Sequence, residues 1–233
     1  ALDGFSAPTE RITVQRSGRN RGRTGGEKRA EKKHENEFKK IQESVTEKKK
    51  NISNLMKKNE ECIGYVEILR TTISYPVMRT KDKPDFYLNH DFNRNYSFYG
   101  TPYLSAYCDV NKSDNLIIYG HNINGGKMFG ALEQYKDKEF FNKHRKIYFT
   151  TDKKREYEVF AVMSVNIHEF EYWKFVMARD AKEYDEFVDK VEEHSLWRQG
   201  NKPKYGEQML MLSTCDNGKG DDWRIVVIGV MQQ

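Results

Sequence analysis

From about residue 60 onward, short runs of β-branched and aromatic residues alternate with loops rich in Gly, Asn and Asp. Such runs are typical of β-strands bounded by turns. Seven of them stand out: CIGYVEIL (62–69), TISYPVM (72–78), NLIIYG (115–120), KIYFTT (146–151), EYEVFAVMSV (156–165), QMLMLSTC (208–215) and WRIVVIGVM (223–231). Seven or eight short strands at this spacing predict a mainly β (α+β) fold, either a barrel or a sandwich. The last two runs are apolar on both alternating faces, which predicts that they lie in the buried middle of the structure.

Three other segments show the three- and four-residue apolar spacing of helices. Over residues 31–59 this spacing predicts an amphipathic N-terminal helix packed on the body, with apolar positions Phe38, Ile41, Val45, Ile52, Leu55 and Met56. A second helix is predicted near Lys127 to Tyr135. A clearer helix spans 181–193, where one stripe is formed by Tyr184, Phe187, Val188 and Val191.

The chain divides into three parts. Residues 1–30, with RSGRNRGRTGG, are rich in Gly and Arg and lack apolar periodicity, which predicts a flexible basic arm or a segment left by cloning. The helix over 31–59 follows, and residues 60–233 form the β-rich domain. A chain of 233 residues is long enough for one such domain with an appendage.

The net charge of +5 is concentrated near the N-terminus. Residues 1–59 hold 16 Lys and Arg against 8 Asp and Glu, whereas residues 60–233 hold 24 against 27. The body is therefore slightly acidic and offers no basic stripe and none of the common nucleic-acid motifs. Because solvated charge is the commonest role of a basic arm, we predict no nucleic-acid partner.

Three cysteines, Cys62, Cys108 and Cys215, leave at least one thiol unpaired, and no CxxC spacing indicates zinc. A Cys62–Cys108 disulfide stays open at this point, although two buried reduced thiols are the simpler interpretation. Cys215 differs because it ends a strand, and Arg224 begins the next strand after eight intervening residues. Such a hairpin brings both side chains to one edge of a sheet.

A cysteine nucleophile needs a partner that transfers protons and a donor that stabilises an oxyanion. His121 directly follows the strand NLIIYG, so its imidazole is expected at a strand mouth rather than in the core. The other five histidines fall in charged helical, turn or loop contexts, for which surface or capping roles are expected: His34, His90, His144, His168 and His194. His121, Cys215 and Arg224 are therefore candidates for one site. Taken singly, Cys215 is explained as well by a small buried apolar residue, and Arg224 by a surface ion pair with Asp221 or Asp222.

The segment NLIIYGHNINGGKMFGALEQYKDKEFFNKHRKIYFTT, followed by LMLSTC and WRIVVIGV, resembles the sortases, cysteine transpeptidases of Gram-positive cell surfaces. The resemblance covers roughly Gly64 to Met231. FYLNHDF, YGTPYLSAY, the N-terminal helix and the helical insertion EYWKFVMARDAKEYDEFVDKVEEHS are similar to class B members. The resemblance implies a closed sortase-type β-barrel of seven to eight strands, with the insertion placed before the nucleophile strand.

For the site, the resemblance implies that Cys215 is the nucleophile, His121 the general acid and base, and Arg224 the group that positions substrate and stabilises the oxyanion. The implied reaction cleaves a C-terminal sorting motif after Thr and forms a thioester on Cys215. An amino group of peptidoglycan or of its lipid-linked precursor then accepts the secreted protein. This chemistry requires no metal or other cofactor, and none is predicted.

The resemblance also implies substrate contacts. Ser213, Thr214 and Asp216 flank the nucleophile, although capping of the strand end is an equal alternative for them. The remaining candidates, for which a role in the core is the alternative, are Leu88, Tyr172 and Trp173. We further expect a monomer at the extracellular face of the cytoplasmic membrane. The resemblance also implies a membrane anchor in the native form, although no apolar run in this sequence approaches the roughly 20 residues of a membrane span.

Two other classes of function compete with this interpretation. Papain-like peptidases and L,D-transpeptidases also use Cys and His. Papain-like enzymes place Cys before His and on a helix, and L,D-transpeptidases place a His-Gly pair shortly before the nucleophile, which MLMLSTC lacks. The second alternative is a non-enzymatic surface adhesin with a sortase-like fold. Thiol reactivity that depends on His121 distinguishes an enzyme from an adhesin.

Overall fold

The computed structural model describes residues 52–232 together with the single position 36. The predicted arm over residues 1–30 lies outside the described residues. Residues 31–51 of the predicted N-terminal helix also lie outside them, apart from position 36. Within the described range the helices are α1 (Ile52–Lys58), α2 (Lys138–Lys143) and α3 (Ala181–Glu193), with short 3-10 helices at Phe86–Leu88, Gly130–Lys136 and Tyr172–Lys174.

Eleven strands make up the rest of the regular structure of this range. They are β1 (Cys62–Ile68), β2 (Ser74–Met78), β3 (Tyr103–Leu104), β4 (Asn115–Tyr119), β5 (Asn122–Ile123), β6 (Lys127–Met128), β7 (Lys146–Thr150), β8 (Lys154–Asn166), β9 (Ser195–Arg198), β10 (Met209–Cys215) and β11 (Trp223–Met231). All seven runs predicted from the sequence are strands. The short strands β3, β5, β6 and β9 were not predicted, because two to four residues are too few to show a period.

Eight of the strands close into a barrel. Their order is β11-β10-β4-β3-β2-β1-β7-β8, and β8 pairs antiparallel with β11 to complete the circle. Strand β9 adds to the outer side of β8, and β5 pairs with β6 as a separate ribbon. Most pairs are antiparallel, but β10 runs parallel to β4 and β2 parallel to β3. The predicted closed barrel is confirmed.

The core forms where the sequence is apolar on both faces of a strand. Strand β10 is buried from Met209 to Thr214, and β11 is buried from Arg224 to Gly229. Both strands have neighbours on each side within the barrel, so neither presents an edge to solvent. This confirms their predicted position in the middle of the structure.

Helix α3 lies in the connection between β8 and β10 and has the bounds predicted from its periodicity. Asp180 caps its first turn by accepting a hydrogen bond from the backbone N–H of Glu183 at 2.9 Å, as N-cap carboxylates do. The predicted stripe is buried throughout: Tyr184, Phe187, Val188 and Val191. The charged residues between them face outward, which explains why the helical period was readable.

Helix α1 packs on the outside of the barrel, and the longer helix over residues 31–59 stays a prediction. Leu55 is buried there in a small cluster with Tyr65, Met78 and Tyr87. Asn59, just after the helix, donates hydrogen bonds from Nδ2 to the Tyr87 hydroxyl at 2.9 Å and to the Phe92 carbonyl at 2.7 Å. Among residues 52–232, no helix has both the length and the apolar character needed to cross a membrane.

The prediction of a helix near Lys127 to Tyr135 was wrong for its first turn. Lys127 and Met128 form strand β6, which pairs with β5 across a turn at Gly125 and Gly126. Both glycines have positive φ angles of 76° and 73°, a conformation that L side chains rarely adopt. The pair of glycines therefore forms a hairpin, and helical geometry begins only at Gly130 as a 3-10 helix.

Candidate active site

Cys215 and Arg224 face each other across the hairpin of β10 and β11. They are the last directly paired residues of this antiparallel ladder at the Cys215 end. Directly opposed residues of such a ladder have Cα atoms roughly 4.5–5.5 Å apart and side chains on the same face of the sheet. The hairpin therefore brings Cys215 and Arg224 to one edge of the sheet, as the sequence predicted.

The loop between the two residues is braced by its own backbone. The N–H of Asp216 donates to the carbonyl of Trp223 at 2.8 Å, and the N–H of Trp223 donates to Gly220 at 3.1 Å. Arg224 is 8% exposed, and its Nη1 donates to the carbonyl oxygens of Asp221 at 2.5 Å and Trp223 at 3.0 Å. These contacts hold the guanidinium at the base of the loop rather than in solvent.

His121 reaches the same edge through the parallel pairing of β4 with β10. The register aligns Tyr119 with Ser213, so a continuation of two residues aligns His121 with Cys215. Two hydrogen bonds maintain that alignment beyond the ladder. The N–H of Gly120 donates to Ser213 O at 3.2 Å, and the Thr214 hydroxyl donates to Gly120 O at 2.7 Å. Neighbouring strands lie roughly 4.8 Å apart, so His121 and Cys215 lie at the same edge of the sheet.

The imidazole of His121 is held by the main chain of Leu88. Its Nε2 lies 2.7 Å from the Leu88 carbonyl oxygen. Because a carbonyl only accepts hydrogen bonds, Nε2 carries the proton in the neutral ring, and Nδ1 is the basic nitrogen. Burial lowers the pKa of His121 below its ordinary value, and the Leu88 hydrogen bond offsets only part of that effect. The ring is therefore predominantly neutral at pH 7.

The three cysteines separate into two kinds. Cys62 and Cys108 are free and buried, and burial raises the pKa of each thiol to about 11. The structure thus contains the two buried reduced thiols of the simpler interpretation rather than a Cys62–Cys108 disulfide. Cys215 is also free but remains partly exposed. Of the three thiols, it alone is open to a substrate.

Comparison with known proteins identifies the family. The family model described as "Sortase domain" matches residues 66–232, which is most of the chain. The chain belongs to the sortase family. Sortases are cysteine transpeptidases that anchor proteins to the cell wall, and the curated relatives place this sortase in class B.

Two curated relatives and two solved structures illustrate the similarity. "Sortase B" of Listeria monocytogenes is 30% identical over 182 residues, which cover 76% of this chain and 72% of the relative. "Sortase B" of Staphylococcus aureus is 27% identical over 176 residues, covering 75% and 71%. The structure of Clostridium perfringens sortase B superposes with a TM-score of 0.72 at 28% identity, covering 78% of this chain and 99% of that one. A Bacillus anthracis sortase B gives 0.69 at 31% identity, with coverage of 77% and 83%.

Five of the six predicted substrate contacts have buried side chains in this sortase. Ser213 and Tyr172 share a hydrogen bond of 2.7 Å between their hydroxyl oxygens, and burial raises the pKa of Tyr172 to about 12. Trp173 packs edge-on against Tyr172, with ring centroids 5.4 Å apart. The Thr214 hydroxyl is engaged by Gly120, as described above. These side chains support the walls of the site, and a direct contact with substrate stays a prediction for them.

The other two candidates differ from each other. Leu88 is only half-buried and lies beside His121 through its carbonyl, so its side chain remains available at the site. The side chain of Asp216 is completely buried. Its carboxylate accepts hydrogen bonds from Lys136 Nζ and from Ser164 Oγ, each at 2.6 Å. Asp216 therefore faces the protein interior although it directly follows Cys215.

Sequence reasoning missed the polar residues beneath the site. Asn122 Nδ2 donates both to the carbonyl of Cys215 and to Glu133 Oε1, each at 2.7 Å. Lys136 joins Glu133 to Asp216. The position of Asn122 directly after His121 was the one sequence feature that could have indicated a role at the site. Lys136 lies 80 positions from Asp216, and nothing in a single sequence indicates such a pair.

One surface cavity lies away from this site. It has a volume of about 610 Å³ and is lined in part by Arg155, Gln208 and Met231. Gln208 precedes β10 and Met231 ends β11, so the cavity is at the opposite end of these strands from Cys215. It is not part of the candidate active site.

Proposed function

We propose that Cys215, His121 and Arg224 perform the transpeptidation of this class B sortase. The observation that carries the proposal is the convergence of two registers on one residue. The antiparallel ladder pairs Cys215 with Arg224, and the parallel ladder aligns His121 with Cys215. A nucleophile, a proton carrier and a fixed cation thus meet at one end of the barrel.

In the first half of the reaction, His121 accepts the thiol proton and Cys215 Sγ attacks the carbonyl carbon of Thr in the sorting motif of a secreted protein. Nδ1 is the nitrogen proposed to take the proton, since Nε2–H is bonded to Leu88. A C–S bond forms as the tetrahedral oxyanion appears beside Arg224. The peptide C–N bond then breaks, and His121 returns its proton to the departing amine. The product is a thioester.

In the second half, an amino group of peptidoglycan or of its lipid-linked precursor attacks the thioester carbonyl. A new C–N bond forms as His121 accepts the amine proton, the C–S bond breaks, and His121 returns the proton to the Cys215 thiolate. A thioester reacts readily with amines, and this reactivity suits a step that transfers rather than hydrolyses. Arg224 supports both halves because its charge is independent of pH in the working range and its guanidinium is already braced by loop carbonyls.

The domain assignment follows from the same residues. We assign catalysis to residues 60–233, since all three residues fall there and the matched family region begins at residue 66. One barrel carries the whole set, so a monomer suffices for activity. Sortases act at the cell surface, and for this chain we propose the outer face of the cytoplasmic membrane, with a membrane anchor in the native form.

The test is intact mass spectrometry after the protein is mixed with a library of sorting-motif peptides. Wild-type protein is expected to gain the mass of a peptide truncated after Thr, and Cys215→Ala is expected to gain none. Addition of a small amine, such as triglycine, should remove the adduct and yield the joined peptide. An adduct that persists in Cys215→Ala, or one that maps to Cys62 or Cys108, would refute the assignment of the nucleophile.

A further inference from the structure

The carboxylate that follows the nucleophile is buried and charged. Asp216 has no exposed side-chain surface, and it accepts hydrogen bonds from Lys136 Nζ, Ser164 Oγ and the N–H of Gly218. Burial raises the pKa of Asp216, but the hydrogen bonds from Lys136 and Ser164 outweigh that effect and hold it below its ordinary value. A buried carboxylate needs such a counter-charge, because an unpaired one is costly. Lys136 is the only charged partner that it has among the described residues.

Lys136 closes a ring of contacts that begins and ends at the nucleophile. Its Nζ also lies 2.5 Å from Glu133 Oε2, and Glu133 accepts a hydrogen bond from Asn122. The same Asn122 amide donates to the carbonyl oxygen of Cys215. We call this set the polar ring: Asn122, Glu133, Lys136 and Asp216, joined through the main chain of Cys215. The polar ring contacts Cys215 at its carbonyl oxygen, through Asn122, and holds the following residue, Asp216, through Lys136.

The polar ring also reaches the position of Arg224. The N–H of Asp216 donates to the carbonyl of Trp223, which directly precedes Arg224. The Asp216 peptide thus links the residue that follows Cys215 to the residue that precedes Arg224. Lys136 itself comes from the 3-10 helix Gly130–Lys136, and its carbonyl accepts the Trp197 Nε1–H at 3.0 Å, so the backbone that carries the lysine is anchored as well.

We propose that Lys136 is a positioning residue for the transpeptidation, acting through Asp216 to hold the Cys215 peptide and its spacing from Arg224. The inference rests on the proposed role of Cys215 as the nucleophile. It predicts that loss of the lysine charge leaves Asp216 buried without a cation, so that the loop shifts to hydrate it. A displacement of about 1 Å at a reacting group is enough to lower a rate by up to about 10²-fold.

The test compares Lys136→Met with wild type in the rate of thioester formation, using a peptide that the wild type is first shown to capture. We expect kcat to fall on the order of tenfold or more while KM changes by less than about twofold, since the peptide-binding walls are untouched. Lys136→Arg should restore most of the rate. The matched control is Lys143→Met, because Lys143 also pairs with a glutamate, Glu139, but at the surface, and its removal should leave kcat unchanged.

A pH profile and a double variant separate positioning from a general loss of structure. The groups facing Asp216 are Lys136, Ser164 and the Gly218 N–H, with Glu133 on the far side of the lysine. In Lys136→Met the deficit relative to wild type should shrink as pH falls, because protonation of Asp216 removes the uncompensated charge. In Lys136→Met/Asp216→Asn a substantial part of the rate should return, and the ratio to wild type should lose this dependence on pH.

The outcomes distinguish this inference from the proposed function. Thioester formation by Lys136→Met at the wild-type rate would overturn the positioning role and leave the assignment of Cys215 intact. A deficit that is independent of pH and is not relieved by Asp216→Asn would overturn it as well. If wild type forms no thioester on Cys215, the proposed function fails and this inference fails with it. Should Lys136→Met not fold, the arginine variant and the double variant carry the same comparison.

Discussion

Replacement of Thr214 by Val should loosen the junction between the two strands that carry His121 and Cys215. The Thr214 side chain is buried, 3% exposed, and its hydroxyl donates to the carbonyl of Gly120 at 2.7 Å. Thr214 directly precedes Cys215, and Gly120 directly precedes His121. Valine keeps the shape of threonine but cannot donate. The substitution therefore removes this one cross-strand contact while the packing volume stays nearly constant.

The expected cost follows from the burial of Thr214, whereas its partner Gly120 is only partly buried. Loss of a hydrogen bond of this kind costs about 0.5–1.5 kcal/mol. For a domain of this size each kcal/mol lowers Tm by about 2–4 °C, so thermal unfolding should show a clear decrease. We also expect thioester formation to slow by about tenfold, since the Gly120–His121 peptide gains freedom relative to Cys215.

Thr214→Ser is the matched control for this prediction, because serine keeps the donor and loses only a methyl group. It should retain most of the activity and should melt closer to wild type than Thr214→Val does. The assays are thermal unfolding by circular dichroism and the rate of adduct formation by intact mass. Equal rates of adduct formation for Thr214→Val and wild type would refute the reasoning that this hydroxyl aligns the catalytic strands.

Three further predictions use the same assays. Gly120→Ala should lower both Tm and activity, because a Cβ at this position would lie 2.8 Å from the buried ring of Phe129; unchanged values would mean that the ring yields freely. Iodoacetamide at pH 8 should modify Cys215 in the folded protein but leave Cys62 and Cys108 unmodified, and peptide mapping that finds equal labelling would contradict their burial. The free energy of unfolding should be constant with respect to these two buried thiols below pH 9 and should fall as pH rises towards 11, because their pKa values are raised to about 11 in the folded state only. Urea titrations of the Cys62→Ala/Cys108→Ala variant should show a smaller fall over that range.

The strongest sequence predictions rested on local periodicity. The 181–193 helix was predicted with its correct bounds because its apolar stripe is readable within one segment. The seven longer strands were readable for the same reason. The predicted helix near Lys127 failed because two glycines at positive φ turned the chain into a hairpin, and the apolar spacing beyond them was mistaken for the start of the helix.

The candidate site was only partly accessible to sequence reasoning. His121, Cys215 and Arg224 could be selected because each lies at a strand end, where side chains escape the core, and because their order resembles that of a known family. The polar ring could not be selected. Asn122, Glu133 and Lys136 look like ordinary polar residues of a loop and a short helix, and only the folded chain brings them under Cys215.

The amino-acid sequence by itself determined the strands, the insertion helix and the candidates for the reactive side chains, since these depend on period, propensity and residue type within short windows. Tertiary structure alone decided which ends meet. The parallel pairing of β4 with β10, separated by about ninety residues, aligns His121 with Cys215, and the buried charge of Asp216 is balanced by a lysine 80 positions away. Such contacts depend on barrel closure and on the cost of an unpaired buried charge, both of which are properties of the whole fold.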